Sequence, residues 1–360
     1  MPLTPALSAS GLRHFDQLHS GAIAAVTERF FATNSAAYAP LGPHGREACR
    51  DDLTLHLEFL RPALEFGLTQ PMVDYLRWLA TVLSARGVPA RFLVQSLDWL
   101  AEYFAAHMHG DEAACVVTAL QRSKQRYLAS GEVLPGLYAA MPPPWAEWMP
   151  FEAALLAGDR LAAGSLVERA LGQGHTLVDI ELHVVQPALY SLGRKWQDNQ
   201  LSVAQEHLAT AISQAVMTQG LLRSALPEAN GRTVLLACVA GNQHSLGLQM
   251  VADSFQLAGW QVHYLGANVP SRSLIQHVGE TDPDLLGLSV AFAQQLPAAR
   301  EVISQLRPSP GKVGTPVIVG GLAINQFQRL AEVLGADAWG ADAKSAVNSA
   351  AKLATQWAPA

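Results

Sequence analysis

Three sets of residues in this sequence have the types and spacing to do chemistry. The first is His244, in Gly241-Asn242-Gln243-His244-Ser245-Leu246-Gly247, directly after an apolar, β-branched run. An imidazole on the loop leaving a strand faces the edge where open α/β sheets take ligands, and neutral imidazole is a common metal ligand. Asn242 can orient that ring through its amide oxygen but adds no charge, so replacing it with Asp is expected to tighten ligand binding. The second set is small. Ser289 ends a later apolar run and Gly320-Gly321 ends the next, and these small residues leave room along one sheet edge for a long substituent. The third is Trp196 followed, after nine residues, by Glu206-His207 within GRKWQDNQLSVAQEH. Each has an ordinary reading when taken singly: a solvated loop histidine, turn glycines, a core tryptophan, and a Glu-His pair split between two helix faces.

The elements that must position these residues follow from hydrophobic periodicity. TVLLACVA, QVHYLG, DLLGLSV and PVIVGG are short strand-like runs, separated by helical segments of about 12–16 residues, a length suited to parallel crossovers. With a weaker fifth strand at Ala336–Gly340 and a closing helix over 343–355, residues 229–360 predict a five-stranded, flavodoxin-like (Rossmann-like) domain. Upstream, residues 151–228 predict a four-helix bundle. There Ser202-Val203-Ala204-Gln205 reads as a capping box that starts a new helix. Glu206 and His207 are expected in the second turn of that helix and Trp196 near the end of the one before, converging on one pocket. Residues 131–150, with three consecutive prolines, predict a linker. Residues 1–130 predict an all-helical domain, with apolar spacing of three and four over 12–32, 47–66, 71–86, 89–108 and 111–129.

Together these residues resemble cobalamin-binding domains, whose pattern is Asp/Glu-x-His-x-x-Gly, then a Ser on a later strand, then Gly-Gly. His244, Gly247, Ser289, Gly320 and Gly321 match it, whereas Asn242 departs from the carboxylate. The resemblance implies His244 as lower axial ligand of cobalt and a nucleotide tail lying beside Ser289 and the glycines. Trp196, Glu206 and His207 extend the likeness to the light-sensing region of CarH-type adenosylcobalamin photoreceptors, over roughly residues 151–355. It implies that Trp196 and Glu206 hold the adenosyl group above the corrin, and that His207 ligates cobalt from above once light has removed that group.

Residues 1–130 do not follow CarH-type repressors, which begin with a winged helix-turn-helix. A helical domain joined to a cobalamin sensor looks like the photocobilins, which implies biliverdin as a second chromophore. Polar candidates for that site are His56, His107, His109, Arg46, Arg50 and Cys49. The net charge of −6 and the lack of any Lys/Arg run argue against direct nucleic-acid binding. Three isolated cysteines cannot make a disulfide framework, and no apolar run is long enough for a membrane span, so a reducing cytoplasm is expected. With no nucleophile–base set or phosphate loop, the expected role is a sensor and not an enzyme, acting as a homo-oligomer or through a downstream protein partner. The alternative is a corrinoid methyl carrier of a methyltransferase. A histidine above the cobalt would compete there with the methyl group, so Trp-x9-Glu-His favours the sensor.

Overall fold

The structure, a computed structural model, describes residues 6–38, 44–129, 142–307, 314–327 and 329–356. The expected linker falls mostly outside these residues, at 130–141. The chain divides into two compact units, Met1–Gly136 and Leu137–Ala360.

The first unit is helical: α1 (Ala9–Tyr38), α2 (Gly45–Phe66), α3 (Thr69–Ala85), α4 (Arg91–His107) and α5 (Gly110–Ala129). Helix α2 shows why. Cys49, Leu53, Leu57, Leu60 and Leu64 recur at three and four residues and are all buried, so one face joins the core. The helix stops at Gly67, whose φ of +70° gives the left-handed turn that favours glycine. Phe15 and Phe104 meet at the centre with ring centroids 5.0 Å apart.

The second unit begins with four helical arms: α6 (Trp148–Leu156), α7 (Arg160–Gly172), a third arm and α10 (Val203–Arg223). The third arm is built of α8 (Leu177–Ile180), a π-helical turn (Glu181–Val185) and α9 (Gln186–Gln197). Helix α6 starts inside the stretch expected as linker. Asn199, at φ +57°, ends the third arm in the left-handed region that asparagine tolerates. Helix α10 then starts on a complete capping box, with Ser202 Oγ accepting from the Gln205 N–H and Gln205 Oε1 accepting from the Ser202 N–H.

Next come β1 (Thr233–Val239), α11 (Leu246–Leu257), β2 (Gln261–Val269), α12 (Ser271–Thr281), β3 (Leu285–Ser289), α13 (Leu296–Leu306), β4 (Val317–Gly320), α14 (Leu322–Gln326), α15 (Leu330–Leu334), β5 (Ala338–Gly340) and α16 (Ala343–Gln356). The strands form one parallel sheet in the order β2-β1-β3-β4-β5. Strand β3 is buried throughout and β1 nearly so, as a sheet covered on both faces requires, whereas the edge strand β2 is half exposed. The chain reverses direction across the sheet at β1, which creates a crevice between the loops that follow β1 and β3. No helix among the described residues is long and apolar enough to cross a membrane.

Candidate functional site

The loop carrying His244 leaves β1 at that crevice. Asn242 lies fully buried beneath it. Its Nδ2 donates to the Ser289 main-chain carbonyl at 2.9 Å, and its Oδ1 accepts from the His244 main-chain N–H at 3.0 Å. Turned over, the amide would set oxygen against carbonyl and NH2 against N–H, so its orientation is fixed. The amide oxygen is thus spent on the main chain of His244 and not on its ring, which corrects the ring-orienting role expected for Asn242.

Three more side chains brace the loop. Asn268 Oδ1 accepts from the Gly241 N–H at 2.7 Å. Gln295 Nε2 donates to the Gly241 carbonyl at 3.1 Å, while its Oε1 accepts from the N–H groups of Ala291 and Phe292. The Tyr264 hydroxyl donates to the Ser245 carbonyl at 3.1 Å. Sequence reasoning missed all three, because each lies on a different strand or loop and carries no local motif.

The His244 ring meets Phe292 edge-on, with centroids 4.9 Å apart at 87°. Its side chain reaches solvent, yet the surrounding protein desolvates it and pushes its pKa below the ordinary histidine value; the Glu206 carboxylate acts in the opposite direction. At neutral pH His244 is therefore a neutral imidazole with a lone pair for a metal.

Strand register forms the rest of the cradle. Cys238, Ser289, Gly320 and Gly340 lie in one row at the C-terminal edge of four adjacent strands. A side chain at Gly320 would crowd the Gly340 carbonyl at 3.0 Å. At Gly321, with φ of +102°, a Cβ would stand 2.4 Å from the Val290 carbonyl oxygen. Gly321 is thus required by the corner itself, and the strip beside Ser289 is bare of side chains. Gly247 faces open space.

The bundle supplies the other wall. Glu206 closes the first turn of α10, where the helix N-terminus favours a carboxylate, and His207 opens the second. Glu206 Oε1 accepts from the Thr210 hydroxyl at 2.9 Å, and its Oε2 lies 2.6 Å from His207 Nδ1. The His207 side chain is 74% exposed. Trp196 is half-buried one residue before α9 ends. The Glu206 charge acts on the His244 ring.

The first unit treats its candidates differently. His56 is buried, with Nδ1 2.8 Å from the Tyr75 hydroxyl and Nε2 3.2 Å from the Ser96 hydroxyl, and burial pushes its pKa down to about 4. Cys49 is a buried thiol pushed up to about 11, mainly by desolvation. Both are structural groups and not available ligands, contrary to the sequence-based expectation. Arg46 pairs with Glu28, and His107 stacks on Tyr103 with centroids 4.0 Å apart. His109 and Arg50 are exposed.

Comparison with known proteins gives the family and the cofactor class. Models of the B12 binding domain match residues 232–348 and, for a second such model, residues 150–219. The dimethylamine corrinoid protein 3 of Methanosarcina mazei is 32% identical over 143 residues, 38% of this chain and 84% of that protein. This chain belongs to the B12-binding corrinoid-protein family. The HTH-type transcriptional repressor CarH of Myxococcus xanthus is 32% identical over 151 residues, 42% of this chain, and the match spans only half the length of that repressor. The solved monomethylamine corrinoid protein of Methanosarcina barkeri aligns with a TM-score of 0.47 at 18% identity, over 57% of this chain and 95% of that one. Cobalamin is therefore the cofactor class of this chain. The residues present fit it: a neutral imidazole stands on a braced loop beside a strip where two glycines exclude side chains.

Proposed function

We propose that this corrinoid protein is a light-responsive signalling protein and not an enzyme, with adenosylcobalamin as chromophore. The reading is supported by two imidazoles, His244 on the braced loop after β1 and exposed His207 at the start of α10, the latter paired with Glu206, whose charge also acts on the His244 ring. Bound adenosylcobalamin supplies a cobalt–carbon bond that light breaks. The chain supplies the rest. His244 would ligate the cobalt, and Ser289, Gly247, Gly320 and Gly321 would flank the nucleotide tail. Trp196 and Glu206 would hold the adenosyl group, and His207 would be the residue available to ligate the cobalt in its absence. A moving His207 draws on α10, which packs against α6, α7 and α9, so the bundle surface changes and with it the contact to a second copy or a downstream protein.

Biliverdin as a second chromophore belongs to the same proposal. It would enter the first unit at the groove between α1 and α4 lined by Arg29, Trp99 and Tyr103. That groove holds about 200 Å3, less than the roughly 300–1,000 Å3 of most ligand pockets. A bilin therefore requires the groove to open, and the light response is assigned to cobalamin.

The second reading is a corrinoid methyl carrier, favoured by the match over 84% of a dimethylamine corrinoid protein. The deciding experiment loads the full chain with adenosylcobalamin and follows absorption and sedimentation before and after green light. The sensor reading expects both to change irreversibly. An unchanged sedimentation coefficient would favour the carrier.

A further inference from the structure

In the second unit the bundle rests on α11 and α16 of the sheet half. Met250 and Ala343 join the bundle's apolar cluster, Gln249 Nε2 donates to Thr218 Oγ1 at 3.3 Å, and Lys344 pairs with Asp179. Amid these contacts two carboxyl groups meet. Glu181 opens the π-helical turn and has no exposed surface; Asp253 on α11 is 4% exposed. Both oxygens of Glu181 and Oδ2 of Asp253 are buried with no N–H or O–H donor in reach.

Ionised carboxylates only accept hydrogen bonds, so two of them in a dry interface would repel and leave these three buried oxygens unmet. A retained proton removes the repulsion and supplies one O–H donor between the two groups. Among the described residues, no cationic side chain acts on either acid. Asp253 is the group acting on Glu181, the Tyr264 hydroxyl on β2 is committed to Ser245, and Lys344 on α16 is committed to Asp179. Asp179, next but one to Glu181, is held ionised by Lys344 and Thr176. Burial raises both acids above the ordinary carboxyl range, and the Asp253 charge raises Glu181 further.

We infer that Glu181 and Asp253 share one proton, Glu181 donating to Asp253, and that this hydrogen bond is a pH-dependent latch between the helical bundle and α11. Helix α11 begins directly after the His244 loop, so the latch ties the cap to the element that positions the lower imidazole. The inference rests on packing and needs neither light nor adenosyl chemistry. A folded-state pKa above the unfolded value gives stability that is full at acid pH and is lost as pH rises through the folded value.

The test is infrared spectroscopy of the full chain at neutral pH with Glu181→Gln and Asp253→Asn, together with melting temperature from pH 6 to pH 9. The wild type is expected to show a protonated-carboxyl C=O band that shifts in D2O and is missing from both variants, whose amides donate without a titrating proton. Its melting temperature is expected to fall by about 2–4 °C or more on going alkaline, while that of Glu181→Gln falls less. If one variant does not fold, the other and the wild type's own pH titration of the band decide. Spectra that superimpose across the three proteins, a band that does not titrate, or melting temperatures that run parallel with pH would overturn the latch.

Discussion

Asn242, in the loop after β1, and Ser289, the last residue of the neighbouring strand β3, are joined by a 2.9 Å hydrogen bond from the buried amide to the serine carbonyl, and this bond fixes the loop that carries His244. A carboxylate at position 242 would lose that donor and set its charge against a carbonyl oxygen with no exposure to water. Asn242→Asp is therefore expected to destabilise the second unit by about 1–3 kcal/mol. The new carboxyl's pKa would be raised, so the deficit grows as pH rises. Thermal melts at pH 5 and pH 8 check it; a variant as stable as wild type with tighter cobalamin binding would restore the ring-orienting role.

Replacing His244 itself should cost little stability, because Asn268, Gln295 and Tyr264 hold the loop through main-chain groups. His244→Ala is expected to melt within about 0.5 kcal/mol of wild type, while cobalamin affinity falls by more than the roughly 10–100-fold seen for outer-shell partners of a metal ligand. Direct titration with cobalamin checks this, and unchanged affinity would remove His244 as a ligand.

Buried His56 makes the first unit acid-sensitive. Its folded pKa of about 4 lies below the unfolded value of roughly 6.5, so the stability it permits is full above the unfolded value and is lost as pH falls toward the folded one, to a total of roughly 3 kcal/mol. Urea melts of the full chain from pH 7 to pH 4, followed by the fluorescence of Trp78 and Trp99, should show this loss. His56→Gln should flatten the profile.

At the corner after β4, Gly321→Ala introduces both a strained φ and a 2.4 Å contact with the Val290 carbonyl. A loss of stability of more than about 1 kcal/mol is expected, with cobalamin binding weakened as the strip beside Ser289 narrows. Calorimetry with and without cobalamin separates the two effects.

Much of this architecture is readable from the sequence because its signals are local. The β-branched runs ending at Val239, Ser289 and Gly320 mark parallel strands, and Ser202 and Gln205 announce the start of α10 four residues before Glu206. What is not readable depends on partners far along the chain. Asn242 looks like a ring orienter until Ser289, 47 residues away, is seen to take its amide. Phe292, Gln295 and Asn268 carry no motif, and Glu181 with Asp253 reads as two unremarkable helical acids until the π-helical turn and α11 bring them together. His56 is the opposite case, a histidine whose two ring nitrogens are claimed by Tyr75 and Ser96 and not by a ligand.

The most direct test of the light-sensor account is the absorption spectrum of the full chain loaded with adenosylcobalamin, recorded before and after green light for wild type and His207→Ala. The account predicts that both lose the adenosyl spectrum, that wild type alone gives a stable product with two imidazole ligands, and that His207→Ala gives an unstable product without the second imidazole. Identical light-state spectra in the two proteins would contradict it.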